Sequence, residues 1–220
     1  MFRLTVLVLA FVLGVGEARA ANDAEILVDK AKSAVESVLN EPNFSSVRQR
    51  VQNAWGVLIV PQLIKAGFIL GGEGGMGVLL AQNPRGSWSS PAFYSVAAGS
   101  VGLQIGVQSQ EMLFVITTEK GLNALLSTQV KLGGDVSIAA GPVGAGMEAS
   151  SMGTPGADIL AYAKSVGLFG GAALEGAVIK PSESYTEMYY GQKVSPKEVL
   201  IDRRVSNPQA DALKAALGPK

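Results

Sequence analysis

Apolar and polar positions follow two different rhythms along this chain. Val101, Leu103, Ile105 and Val107 alternate with Gly102, Gln104, Gly106 and Gln108, the period of two that gives a strand one apolar and one polar face. Short apolar runs precede it: 55–60 stops at Pro61, 67–70 at a glycine cluster, and 77–82 at Asn83-Pro84-Arg85-Gly86. Runs of this length closed by turn residues predict strands, as do residues 92–99 and 111–117. The expectation is an antiparallel sheet built on residues 55–117.

Elsewhere the period is helical. Leu27, Ala31, Ala34, Val35, Val38 and Leu39 fall on one face of a predicted helix over 23–39. Its polar face carries Asp23, Glu25, Asp29 and Glu36 against Lys30 and Lys32. That is the wrong balance for a helix seeking anionic lipid, so packing on the domain is expected. Asn40-Glu41-Pro42-Asn43 breaks it, and Phe44, Val47, Val51 and Ala54 predict a second, short helix with Arg48 and Arg50 off the apolar stripe. Thr118 can cap a helix over 118–126 that turns Leu122, Leu125 and Leu126 inward. Residues 130–153 predict two or three short strands, 158–165 continue the sheet, and 172–180 form a strand ended by Pro181. Residues 185–191 and 194–201 follow Pro181 without an assigned element. Ser206-Asn207-Pro208 places a cap and a first-turn proline before Ala210, Leu213 and Leu217, the signature of a terminal helix. The fold class is therefore α+β: an antiparallel, Gly-rich sheet or partly closed barrel-like core with N-terminal, middle and C-terminal helices packed on it.

The first twenty residues need separate treatment. Arg3, an apolar run over 4–16 and Ala18-Arg19-Ala20 form the pattern of a secretory signal peptide cut after Ala20. The run is shorter than the ~20 residues that span a bilayer, and no cysteine follows it to accept a lipid anchor. The 18 basic and 18 acidic residues balance, and losing Arg3, Arg19 and Glu17 leaves the remainder about one unit negative. Nucleic-acid binders normally carry a basic field, so that class is set aside. With no cysteine and no histidine, thiol, disulfide and imidazole chemistry are excluded, and carboxylates are the only good metal ligands left.

Three motif candidates lose force on inspection. Gly72-Glu73-Gly74-Gly75-Met76-Gly77 satisfies the dinucleotide-binding expression, but that motif needs a following helix to face the phosphates. Here Val78-Leu79-Leu80-Ala81 predicts a strand, and tight hairpin turns with positive φ are the expected reason for the glycines. Ala98-Gly99-Ser100-Val101-Gly102 falls short of a nucleophile elbow, with no histidine base to serve it. Glu73, Glu111, Asp135, Glu148, Asp158 and Glu175 could supply a carboxylate pair or hard-metal site, yet no two stand at an informative spacing. No cofactor is expected, and the chain is expected not to be an enzyme.

Several segments, in order, resemble the SYLF lipid-binding domain. They are Ala54-Trp55-Gly56-Val57-Leu58-Ile59-Val60-Pro61, Lys65-Ala66-Gly67-Phe68 with its glycine cluster, Gly86-Ser87-Trp88-Ser89-Ser90-Pro91-Ala92-Phe93 and Gly102-Leu103-Gln104-Ile105-Gly106-Val107-Gln108. Tyr162-Ala163-Lys164-Ser165-Val166-Gly167-Leu168-Phe169, Leu174-Glu175-Gly176-Ala177 and Tyr189-Tyr190-Gly191 complete the set. The resemblance implies a phospholipid-binding module. Where the family commonly has two basic residues around a serine before Gly-Leu-Phe, this chain has Lys164, Ser165 and Val166, so one cation is missing and inositol-lipid specificity is not transferred.

The organisation expected is a signal peptide at 1–20, a helical segment at 21–54, a SYLF-like β-rich domain at 55–205, and a C-terminal helix and tail at 206–220. The leading expectation is an exported bacterial protein, periplasmic or extracellular and peripheral to the membrane. It would bind anionic phospholipid through Arg48, Arg50, Lys65 and Lys164 beside an apolar edge, each cation near a charged bilayer contributing about 1 kcal/mol. The alternatives are a scaffold for an envelope protein partner, a small outer-membrane β-barrel and a carboxylate-based hydrolase.

Overall fold

In a computed structural model of the protein, residues 21–42, 46–67, 70–101, 106–141, 156–164 and 174–218 are described. Helix α1 (Asp23–Leu39) opens with a capping box: Glu25 N–H donates to Asn22 Oδ1 at 2.9 Å, and Asn22 N–H returns the bond to Glu25 Oε2 at 2.9 Å. Two orphan donors of the first turn are thereby satisfied. Its apolar stripe is buried from Ala24 to Leu39, as its spacing predicts. Helix α2 (Val47–Gln52) follows, burying Val47 and Val51.

Strands β1 (Gly56–Gly67), β2 (Leu70–Ala81), β3 (Ala92–Val101) and β4 (Gly106–Ile116) form the centre of the sheet. After α3 (Glu119–Leu125), capped by Thr118 as expected, come β5 (Val130–Lys131), β6 (Ile138–Ala140), β7 (Ile159–Lys164) and β8 (Val178–Pro181). The order is β5-β8-β3-β2-β1-β4-β7-β6. All the pairings are antiparallel except β6 with β7, which makes the sheet mixed rather than purely antiparallel. Residues 185–191 and 194–201 lie over α4 (Glu183–Tyr190) and α5 (Pro196–Leu200), helices too short to show a period. Asn207 and Pro208 start a short 3-10 turn that leads into α6 (Asp211–Leu217).

Two strand boundaries differ from expectation. Strand β1 does not stop at Pro61; it continues through a bulge, with register shifts between Ile59 and Ile64 against β2 and between Val60 and Leu63 against β4. A proline in a central strand removes a ladder donor, and a bulge is where that loss is tolerated. The glycine cluster is likewise not a turn, because Gly72, Gly74, Gly75 and Gly77 lie inside β2 and none has positive φ. A Cβ on Gly75 would stand 2.5 Å from Gln62 O, and one on Gly77 2.6 Å from Ile59 O. The glycines make room for the bulge. Residues 1–20, Phe44, 102–105 of the alternating run, 142–155 and 165–173 lie outside the described residues.

The sheet is a curled half-barrel. One face unites Leu58, Phe114 and Tyr94 with Val130 and Ile179 from one edge and Ile138 and Ile159 from the other. A single cluster that reaches both edges identifies this as the inner face, and Leu122 and Leu125 of α3 pack into it. The outer face carries Val57, Ile59, Val78, Leu80, Phe93, Leu113 and Val115 under α1, α2, α4 and α6. The C-terminal segment ties this layer down. Trp88 Nε1 donates to Gly218 O at 2.8 Å, Arg203 donates to Ser87 O at 2.7 Å, and Gln209 Nε2 donates to Asp29 Oδ1 at 2.7 Å.

Candidate functional site

The four basic residues singled out from the sequence do not share one surface. Val57 and Ile59 face outward and Leu58 and Val60 inward, so uninterrupted alternation would send Lys65 outward. The bulge inserts one residue and inverts the facing of everything after it: Leu63 is buried on the inner face, and Lys65 follows it. Lys65 Nζ lies 2.9 Å from Oε1 of Glu73, its cross-strand partner on β2, whose side chain is 1% exposed. Lys65 is therefore committed to a charge pair on the inner side.

Lys164, opposite Glu111 on β4, points outward with Tyr162. Its Nζ donates to Ser37 Oγ at 2.8 Å and Ser37 O at 3.3 Å near the end of α1, and stands 3.5 Å from Glu41 Oε2. Arg50 belongs to the same neighbourhood. Burial pushes the Tyr162 phenol up to about 12, and the positive charge of Arg50 opposes that rise. Arg50 Nε is buried with no hydrogen-bond partner, while Arg48 on the same helix is exposed. Arg50 and Lys164 thus lie around Tyr162 on the outer side, while exposed Arg48, two residues from Arg50, faces another side of α2.

An apolar surface lies across β4 from Lys164. Ile64, turned outward by the bulge, is 43% exposed, and Gly72, Ala97 and Gly99 beside it on β2 and β3 are exposed as well. Sequence reasoning missed Ile64 because its facing depends on the bulge; Pro61 in the middle of an apolar run was the available signal.

The carboxylates are dispersed. Asp158, at the start of β7, is buried and receives Thr118 Oγ1–H at 2.7 Å, Lys120 Nζ at 3.0 Å, Ser137 N–H at 3.0 Å and Ser137 Oγ–H at 2.9 Å. Burial alone would raise its carboxyl; the bonds from Thr118, Ser137 and Lys120 outweigh that and hold it well below the usual carboxylate range. Each contact ties α3, β6 or the loop before it to β7, a structural fastening. Asp135 accepts Lys131 N–H at 2.7 Å in a turn, Glu175 is exposed beside Gly133, and Glu148 lies outside the described residues. Among the described residues no group of three or more carboxylates is placed to hold a metal ion, and no helix is long and apolar enough to cross a membrane.

The half-barrel with its helical layer defines an α+β module, and comparison gives its family. The family profile Ysc84, described as "Las17-binding protein actin regulator", matches residues 97–219. Protein YSC84 of Saccharomyces cerevisiae is 32% identical over 166 residues, 74% of this chain and 35% of the relative. LAS seventeen-binding protein 3 of the same yeast is 32% identical over 166 residues, 74% of this chain and 36% of the relative. SH3 domain-containing YSC84-like protein 1 of Homo sapiens is 29% identical over 157 residues, 71% of this chain and 46% of the relative. The chain belongs to the Ysc84 (SYLF) family. It spans between about a third and a half of the length of these relatives.

Proposed function

We propose that this protein is exported to the bacterial cell envelope and there attaches reversibly to anionic phospholipid, without catalysing a reaction. The contact is made by Arg48, Arg50 and Lys164, with Ile64 entering the apolar margin of the bilayer; Lys65 has no part in it. The observation that carries this reading is the placement of Arg50 and Lys164 around Tyr162 on the outer side of the sheet. The export step rests on the leader pattern at 1–20.

Purified protein should sediment with vesicles containing phosphatidylglycerol, remain free with phosphatidylcholine alone, and be released by high salt as the surface charges are screened. Reversing Arg48 and Lys164 together (R48E, K164E) should weaken binding by a factor of about 30 or more, from about 1 kcal/mol per cation. A matched pair at exposed Lys180 and Lys193 should change it far less. Equal sedimentation with both lipids rejects the proposal. A second reading, docking of a protein partner, is supported by the family description, "Las17-binding protein actin regulator", and by the name of the yeast relative LAS seventeen-binding protein 3. Retention of an envelope protein, with no preference for lipid charge, would favour it.

A further inference from the structure

The inner face holds a second set of polar groups that the basic side does not explain. Glu73 on β2 and Gln110 on β4 flank β1, opposite Lys65 and Leu63 respectively. Both residues are more than nine-tenths buried, at 4% and 6% exposure. Glu73 spends Oε1 on Lys65, yet its Oε2 has no hydrogen-bond partner, and neither has Gln110 Nε2. An unsatisfied buried donor or acceptor costs about 1–3 kcal/mol, so an orphan acceptor and an orphan donor on one face are a pattern a ligand would complete.

Geometry limits what fits. Two strand spacings and an offset of two residues along β1 separate the backbones of Glu73 and Gln110 by about 12 Å, and both side chains leave the sheet on the same inner face. The surrounding inner-face residues are Leu63, Val96 and Met112. A bare anion is disfavoured, because it would meet the free oxygen of a carboxylate whose charge only Lys65 balances. We propose that this is a binding site for the head of an uncharged or zwitterionic amphiphile. The head presents an O–H or N–H to Glu73 Oε2 and an oxygen acceptor to Gln110 Nε2, with the aliphatic part against the apolar residues. Phosphatidylethanolamine and a monoacylglycerol both offer that chemistry; phosphatidylcholine offers the acceptor without the donor.

Titration calorimetry of the purified protein with dioctanoyl-phosphatidylethanolamine, monooctanoylglycerol and dioctanoyl-phosphatidylcholine separates these cases. At least one donor-bearing lipid should bind tenfold or more tightly than phosphatidylcholine, and which one does identifies an ammonium or a polyol head. Gln110→Met should weaken binding of all three lipids about equally, because each offers the acceptor, and should raise the melting temperature of the lipid-free protein, because the orphan amide is gone. Equal binding of all three lipids overturns the proposal, as does a Gln110→Met protein that binds them as tightly as the wild type, since a buried water would then be the only partner. A lower melting temperature in that variant overturns it too, for the amide would then be holding the fold. The R48E, K164E protein should retain the preference, so failure at the outer patch is read separately.

Discussion

Asp158→Ala is expected to destabilise the protein by about 3–5 kcal/mol, the cost of removing one partner from a buried, charge-assisted network. Thr118, Lys120 and Ser137 would lose their common acceptor, and with it the fastening of α3 and the β6 region to β7. The effect also has a pH signature. The folded carboxyl is held below its ordinary value, so the unfolded chain takes up a proton first as acid is added. Its stabilisation is complete above about pH 4, the unfolded range, and is lost as pH falls toward the folded value. Glu198 acts in the same direction: the Ser195 N–H, the Ser195 hydroxyl and Arg204 bring it down to about 2. Urea denaturation at pH 7 and pH 3 should show the wild type losing stability in acid and Asp158→Asn losing less. Parallel losses in both proteins would remove Asp158 as the source.

Gly77→Ala and Gly75→Ala should each cost about 2–3 kcal/mol as overpacking against backbone that side-chain rotation cannot relieve. The added Cβ on either would press on a carbonyl of β1 at the bulge. Gly99→Ala is the internal comparison, since nothing lies within 4 Å of its added carbon and its φ is not positive; it should stay within about 0.5 kcal/mol of wild type. Melting temperatures of the three variants decide the matter. If all three fall alike, the glycines serve general strand flexibility rather than the bulge.

How far the sequence could be read depends on the kind of information each feature needs. Helix α1 was legible to its last residue because its stripe and terminator are local. The Thr118 cap and the Asn207-Pro208 start were legible for the same reason. The β1 bulge was not, because a one-residue slip is a relation between strands, visible only once Ile64 is paired with Gly74. Its consequences spread to function. It turned Lys65 away from Arg50 and Lys164, turned Ile64 toward solvent, and gave the glycine cluster a steric purpose that looked like turn chemistry. Arg48 and Arg50 were visible as cations off the stripe of α2, but the buried Nε of Arg50 belongs to tertiary packing alone. Asp158 appeared only as one of several scattered acids, since its partners come from two separate stretches of chain, 118–120 and 137.

The bonds that join Gln209 to α1 and Gly218 to Trp88 govern assembly as well as stability. A nascent chain leaves the ribosome from its N-terminus, so α1 exists long before α6 is available to cover it. The part of the outer apolar layer that α6 covers stays open until the segment ending at residue 218 has docked. Contacts of such long sequence separation also slow spontaneous refolding.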